Sequence, residues 1–539
     1  MNEHINRRDF MKIVGVGAAI APISLTNLSS ASEQPQAVNP ESGTSQGKPN
    51  IIIIMTDQQR ADITRREGFE LDTTPFLDSL ARAGTWFNRA YTSMPVCAPA
   101  RTSMMTGRYP NATRVRTNHN VQDATFQTDL IDVLREQGYV TGLCGKNHCY
   151  LRPNMLDHWF ELGHDGGSGP DRTEQERAFD NYLRNLHHSA SYEATPFPIE
   201  CQGPYRAVSS ALNWIDSVKD KPFFLWLSFA EPHNPYQVPE PYFSMFPPDS
   251  VPPARSGKEA LAIKGFKFQF TRQLEDIAFP DFDKQLIQAR SNYFGMLRLI
   301  DDQVKRLVQS LKEKGRFDNT ILVALSDHGD FVGEYGLVRK GPELPEVLTR
   351  IPMLFVGPGI TANTQPHSAH VSIVDVMPTL CEAIGRPLPV GVQGRSLWPL
   401  LTGRDYPKEE FASAYAEHGF GGLHYTADDK LDPRREGALS RAISYDELNS
   451  WSQSGTMRML RKGEWKLIFD MQGKGQLYNL TKDPIELKNL YNDPDYAEIK
   501  QELMADMMAW TLRVQDPLPL PRTRYIMKTD PHNYWSIYR

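Results

Sequence analysis

The sequence predicts an α/β protein with a large central, mostly parallel mixed sheet flanked by helices, followed by a small C-terminal α+β domain with an antiparallel sheet. Three observations predict it. From residue 49 to about residue 400, runs of strand length alternate with amphipathic helical stretches, the rhythm of strand–helix–strand units. Several of the runs are apolar at every position, as a strand buried on both faces must be. Beyond that point, short apolar segments are separated by glycine turns instead.

Residues 50–57, Asn-Ile-Ile-Ile-Ile-Met-Thr-Asp, are a continuous apolar run ending on a carboxylate and predict a buried parallel strand. Residues 74–84 and 130–138 carry apolar side chains at helical spacing, and 140–143 predict the strand after the second helix. Residues 223–229 predict a strand that ends at Glu231-Pro232-His233. A long helix is predicted over 293–314, with Leu297, Ile300, Val304, Leu307 and Leu311 on one face and Gly315 as its stop. Strands follow at 320–325, ending at Ser326-Asp327-His328, and at 352–356. In the last part, 458–460, 465–469 and 476–478 are short strands separated by Lys462-Gly463 and Gly473-Lys474-Gly475, and 499–510 is a helix. Residues 420–456 read as an irregular insertion and 511–539 as an extended tail. The expected organisation is a signal peptide over 1–31, a disordered linker over 32–48, a large α/β domain over 49–400 and an α+β subdomain over 401–539.

A chain of 539 residues is long enough for two or more domains with large cores. Its 40% hydrophobic and 23% charged content is that of a globular protein, and a net charge of −6 gives no basic footprint for nucleic acid. Asn6-Arg7-Arg8-Asp9-Phe10-Met11-Lys12 precedes an apolar run over 13–25, and Ser29-Ser30-Ala31 supplies small residues for cleavage. Paired arginines before a Gly/Ala-rich, weakly hydrophobic run resemble a bacterial twin-arginine export signal. The run is short of the ~20 apolar residues a membrane span needs. The expectation is a periplasmic or secreted chain that uses the twin-arginine export machinery and keeps no transmembrane anchor when mature. Pairing among Cys144, Cys149, Cys201 and Cys381 is not readable from sequence. Cys144, His148 and Cys149 lack the second ligand pair a zinc site requires.

Cys97-Ala-Pro-Ala-Arg101-Thr-Ser-Met-Met-Thr106-Gly107-Arg108 carries the chemistry. Pro99 fits a first helical turn and Gly107 a helix end, so Cys97 and Arg101 lie at a helix N-terminus, where free N–H groups attract an anion. The arginine adds fork-shaped donors suited to a tetrahedral oxyanion. Read alone, the pair is equally a buried structural cysteine beside a surface arginine. Asp57-Gln58 and Asp327-His328 each follow a strand and each begin with a carboxylate suited to a hard cation. Taken singly they are also ordinary strand-end caps. Ligand sites of open parallel sheets collect at strand C-termini, so these distant positions can share one crevice.

The segment at Cys97 resembles the signature of the type I sulfatases, C-x-P-S-R-x-x-L-x-T-G-R. It matches at Cys97, Pro99, Arg101, Thr106, Gly107 and Arg108, and departs at Ala100 and Met104. Gly145-Lys146-Asn147-His148 resembles the family's G-K-x-H segment, Glu231-Pro232-His233-Asn234-Pro235 its P-H-x-P segment, and Lys340 its later sulfate-contacting lysine. Residues 371–380, 393–397 and 477–490 also resemble family segments, so the likeness runs over roughly residues 49 to 510.

The resemblance implies a sulfatase in which a maturation enzyme converts Cys97 to formylglycine (3-oxoalanine). In the family the hydrated aldehyde is the nucleophile and a covalent sulfo-enzyme follows. Asp57, Gln58, Cys97, Asp327 and His328 would hold one divalent metal, normally calcium. Gln58 departs from the family's frequent carboxylate and lowers the site's negative charge. By the same resemblance Arg101, Lys146 and Lys340 spread the charge of the transferring group, His233 protonates the leaving oxygen and His148 assists the nucleophile. Export with such a site implies a sulfated carbohydrate, a polysaccharide or glycosaminoglycan fragment, as substrate. The alternatives are a phosphonate or phosphate ester hydrolase of the same superfamily, and a catalytically silent carbohydrate-binding protein. Arg116-Thr-Asn118-His119-Asn120 either touches a sugar or is a polar surface loop, and the region 420–451 is a second candidate for shaping the pocket.

Overall fold

Four isoleucines in a row leave no side chain at positions 51–54 that water would solvate, and the chain spends them at the centre of a sheet. The computed structural model describes residues 47–515 except 168, 187, 280, 423, 425 and 429–453, together with 532 and 534. The expected signal peptide, the expected linker apart from residues 47 and 48, and most of the expected insertion and tail lie outside the described residues. No helix among the described residues is long and apolar enough to cross a membrane.

Fourteen strands are used here: β1 (Asn50–Thr56), β2 (Thr85–Phe87), β3 (Ala90–Tyr91), β4 (Val140–Gly145), β5 (His158–Gly163), β6 (Gly166–Gly167), β7 (Phe223–Ser228), β8 (Thr320–Ser326), β9 (Met353–Val356), β10 (Val371–Ser372), β11 (Ser413–Gly421), β12 (Gly455–Lys462), β13 (Trp465–Asp470) and β14 (Gly475–Asn479). The large sheet runs β2-β9-β8-β1-β7-β4-β5-β6. β1, β4, β5, β7 and β8 are mutually parallel, while β9 pairs antiparallel with β8 and β2. Ile51 to Met55 are at most 1% exposed, with apolar clusters above and below. Each such side chain stabilises the fold by roughly 1.5–3 kcal/mol.

Helices cover both faces. Cys97–Thr106 (α1) packs with Leu130–Glu136 (α2) against one cluster. Gly203–Val218 (α3) and Phe282–Glu313 (α4) cover the other. α2 starts at a capping box in which Asp129 and Asp132 bond each other's backbone N–H. The long helix begins eleven residues before the predicted start, because Phe282 and Ala289 bury against a separate cluster with Tyr236 and Phe246. Its first turns serve that cluster and not the sheet, so the single apolar stripe read from sequence misses them.

The small sheet is antiparallel, in the order β11-β12-β13-β14, and Ala497–Val514 (α5) packs across it. β11 corrects the reading of the region from 420 as irregular, since strand pairing continues to Gly421 opposite Gly455. Trp510 of α5 stacks on Tyr415 of β11 with centroids 5.8 Å apart and planes 6° apart. Buried Lys466 of β13 reaches Glu346 at 3.2 Å and Glu486 at 2.8 Å, tying this sheet to the loop after Lys340.

Register then decides where the polar strand ends fall. Met55 and Gly145 both pair with Ser228, and Thr56 pairs with Ser326. Asp57, Lys146, the segment after Ser228 and Asp327 therefore emerge in one row. Gly145 makes this possible. Its φ is 109°, and a Cβ there would lie 1.8 Å from the Ser228 carbonyl oxygen. Replacing Gly145 by Ala is expected to cost at least about 2 kcal/mol through backbone strain. A urea midpoint equal to that of the parent would refute this account.

Candidate active site

Cys97 is the first residue of α1, fully buried, and Val96 before it is extended. The N–H of Ala98 donates to Asn118 Oδ1 at 3.0 Å. The loop from Arg116 therefore turns its amides inward. Arg116 donates to Asn111 Oδ1 at 3.3 Å and to the Gly419 carbonyl at 2.5 Å, and Asn120 accepts from the backbone N–H of Arg116 at 3.0 Å. These groups build the helix start and β11 junction.

Around Cys97 the strand ends converge. The Cys97 Sγ lies 3.6 Å from Asp57 Oδ1 and 3.2 Å from His328 Nε2. His328 Nε2 is 3.8 Å from both Asp57 Oδ1 and Asp327 Oδ1. One donor atom from each of Asp57, Cys97, Asp327 and His328 lies within 4.8 Å of the others, and all four residues are buried. His328 Nδ1–H donates to the Gly329 carbonyl at 2.8 Å, which leaves the Nε2 lone pair facing the cluster. Two carboxylates and a lone-pair nitrogen suit a divalent cation; the oxygens favour a hard one and the imidazole admits others.

Arg101 spans the cluster from beneath. Its Nε donates to Asp327 Oδ2 at 2.9 Å, one terminal nitrogen to Asp57 Oδ2 at 3.1 Å, and the other to Ser228 Oγ at 2.7 Å and the Lys146 carbonyl at 3.1 Å. Lys146 Nζ pairs with Asp57 Oδ2 and lies 2.7 Å from His164 Nε2. Gln58, at φ 66°, donates its backbone N–H to Asp327 Oδ1 at 3.1 Å. Its side-chain nitrogen donates to Asp330 Oδ2 at 2.8 Å, and its oxygen accepts from Lys340 Nζ at 2.7 Å. Lys340 Nζ is 3.3 Å from His233 Nε2, and His233 Nδ1–H donates to the Asn234 carbonyl at 2.7 Å. His148, at φ 47°, interacts with Cys97.

These charges shift one another. Burial pushes the Asp57 carboxyl up, but Lys146, His233, Arg101 and Lys340 outweigh it and hold it well below the usual carboxylate range. Asp327 moves the other way, raised by burial and by the neighbouring Asp57. Burial and Asp57 push the Cys97 thiol up, yet Lys146, Lys340 and His328 bring it well below its ordinary value. Burial opposes a charge on His328, but Asp327 and Cys97 raise it. Burial first, and Lys146 beside it, lower His148, His164 and His233 below the ordinary imidazole value.

All ten residues singled out in the sequence are linked through these contacts. Ser228, Asp330 and His164 were missed. Ser228 is the last residue of β7, and Asp330 is three residues past Asp327; neither belongs to a motif. His164 precedes Asp165-Gly166, a hairpin signal that would have marked it as a turn tip. All five cysteines are free and buried. The Cys144 Sγ faces Ser210 and the Cys149 Sγ faces Asn147, so neither joins His148 in a metal cluster.

A family model described as Sulfatase matches residues 49–386. An arylsulfatase of Clostridium perfringens is 28% identical over 484 residues, covering 84% of this chain and 92% of its own. An ulvan-active sulfatase of Formosa agariphila is 25% identical over 477 residues, covering 86% and 80%. The solved phosphonate monoester hydrolase of Agrobacterium radiobacter superposes with a TM-score of 0.70 at 23% identity, covering 87% of this chain and 96% of its own.

Metal binding at the cluster is testable without turnover. Adding calcium to chelator-treated protein at about a hundred times its dissociation constant is expected to stabilise the fold by ~2.7 kcal/mol. Asp327→Asn should remove most of that gain in thermal melts. A calcium shift unchanged by Asp327→Asn would place the ion elsewhere.

Proposed function

As the chain belongs to the sulfatase family, whose members hydrolyse sulfate esters, we propose that it cleaves sulfate monoesters of carbohydrates through a formylglycine formed at Cys97. The convergence of Cys97, Arg101, Lys146 and Lys340 on the Asp57–Asp327 cluster carries this reading. Formylglycine at position 97 would supply the oxygen nucleophile, and a divalent cation held by Asp57, Gln58, Asp327 and His328 would supply Lewis acidity. Gln58 can serve there because its carbonyl oxygen keeps a second lone pair beside Lys340.

The chain's own groups do the rest. Lys146 and Lys340 flank the cluster and grip the sulfate oxygens, while Arg101 balances the two aspartates. Lys340 Nζ can pass a proton to His233 Nε2, which we assign to the leaving oxygen. The His148 ring interacts with Cys97 and is assigned the proton that must leave position 97. His188 lies near His233, with ring centroids 6.5 Å apart, and both offer polar groups suited to a polyol. The ulvan-active relative and the export signal support a polysaccharide or glycosaminoglycan fragment. Read as an export signal, residues 1–31 also support a periplasmic or secreted enzyme.

A second reading is phosphonate or phosphate ester hydrolysis, favoured by one observation. Gln58 is neutral where a carboxylate is frequent, so the dianion of a phosphate monoester meets less repulsion, while a phosphonate monoester carries the same single charge as a sulfate monoester. Sulfate release from defined sulfated saccharides, compared with turnover of phenylphosphonate and phosphate esters, separates the two. Cys97→Ala should lower sulfate release by roughly 10⁴-fold or more with an unchanged melting temperature. Mass spectrometry of the tryptic peptide over residues 90–101 should show the aldehyde. An unmodified thiol in fully active enzyme would overturn the mechanism.

A further inference from the structure

His164 stands at the tip of a two-residue hairpin. Leu162 pairs with Gly167 and Gly163 with Gly166, so His164 and Asp165 alone make the turn. Gly166 has φ 85°, and a Cβ there would lie 1.8 Å from Asp180 Oδ1. Asp180 is thus wedged against the turn. It is buried, held by Arg172 at 2.7 Å and Arg206 at 2.8 Å, and it accepts the Gly167 N–H at 3.3 Å. A buried ion-pair cluster fixes the hairpin tip.

The His164 imidazole makes two contacts there. Its ring stacks on His233, with centroids 3.6 Å apart and planes 20° apart. Its Nε2 lies 2.7 Å from Lys146 Nζ. An ammonium only donates, so Nε2 accepts and the ring proton sits on Nδ1. Lys340 in turn lies 3.3 Å from His233 Nε2. Two stacked imidazoles therefore join the two lysines that flank the cluster.

We propose that His164 is a positioning residue for sulfate ester cleavage: its Nε2 orients Lys146 toward the sulfate, and its ring face orients His233 toward the leaving oxygen. This rests on the sulfatase reading above. Lys146 has three protons to donate. Asp57 takes one and His164 a second, which leaves the third directed at a substrate oxygen. Among the described residues, His164 is the hydrogen-bond partner of Lys146 Nζ that opposes the pull of the Asp57 carboxylate. His233 Nδ1 donates to the Asn234 carbonyl and its Nε2 lies by Lys340, and the stacked His164 ring supports the plane in which that Nε2 points.

The two contacts can be removed separately. His164→Phe keeps a ring face and loses the acceptor; His164→Asn keeps an acceptor and loses the ring face; His164→Ala loses both. In matured enzyme, inhibition by inorganic sulfate reads the grip of Lys146. The kcat ratio between 4-nitrophenyl sulfate and glucose 6-sulfate reads leaving-group protonation, which matters only for the poorer leaving group. His164→Phe should weaken sulfate inhibition about tenfold, the worth of one charge-assisted hydrogen bond, and leave the ratio within about threefold. His164→Asn should raise the ratio about tenfold and leave inhibition within about threefold. His164→Ala should show both effects, with melting temperatures and aldehyde content equal to those of the parent. Equal losses in every variant and readout, or no change in any, would overturn the proposal. If the parent released no sulfate from either ester, the sulfatase reading would fail on its own. Calorimetric sulfate binding to the parent and to His164→Phe would still test the Lys146 contact.

Discussion

The guanidinium of Arg101, locked between Asp57 and Asp327, is the contact on which the rest of the site depends. It touches four strand ends at once: Asp57 after β1, the Lys146 carbonyl after β4, Ser228 of β7 and Asp327 after β8. Two carboxylates this deep in a protein repel each other and lose hydration, and only a planar fork can answer both from one side. Breaking such a buried pair costs about 3–5 kcal/mol, because the remaining charge has no water to turn to. The arginine is placed by α1, the same helix that begins with Cys97. The group that holds the sheet's C-terminal edge together therefore also fixes the residue meant for chemistry.

Charge balance explains why the site wants an anion. Arg101, Lys146 and Lys340 offset Asp57, Asp327 and Asp330, and a divalent cation would tip the balance to positive. Lys146 and Lys340 are both buried, so their fields are little screened. Gln58 sharpens the imbalance. Its amide is pinned from both ends, by Asp330 and Lys340, and a carboxylate in its place could not donate to Asp330. Asp330 accepts in addition from Tyr236 and from the backbone N–H groups of Val332 and Arg339. The neutral amide at position 58 is thus matched to its surroundings, and the departure from the family pattern is built into the loop that carries Lys340.

Much of this was legible in sequence for a simple reason. Continuous apolar runs such as 50–56 allow only a doubly covered strand, and parallel strands must deliver their polar ends to one edge. Strand-end position then pointed to Asp57 and Asp327, while Lys146 and His233 were singled out by the family segments they resemble. What escaped depends on contacts between distant segments. β2 is three residues long and exists because Thr85, Trp86 and Phe87 pair with β9. β11 follows a turn-rich stretch, and its partner is more than thirty residues further on. Ser228 and Asp330 act only through residues they meet in space. His164 is a residue of ordinary appearance whose neighbours, His233 and Lys146, come from two other strand ends.

The cysteines show why position 97 differs from the rest. Burial pushes Cys144, Cys149 and Cys381 up to about 12 and raises Cys201 as well, so none offers a thiolate near neutral pH. Free thiols of this kind tolerate an oxidising compartment without pairing. Cys97 alone sits among cations, and its thiol is depressed. Yet it is fully buried, walled by Asp57, His328 and the helix it begins, and no maturation enzyme could reach it there. The field that depresses the thiol exists only after folding, when access has gone. On the formylglycine reading proposed above, conversion at position 97 precedes closure of α1 onto the sheet. If residues 1–31 act as a twin-arginine signal and the chain is exported folded, that order puts the chemistry of maturation in the cytoplasm and the chemistry of the enzyme outside it.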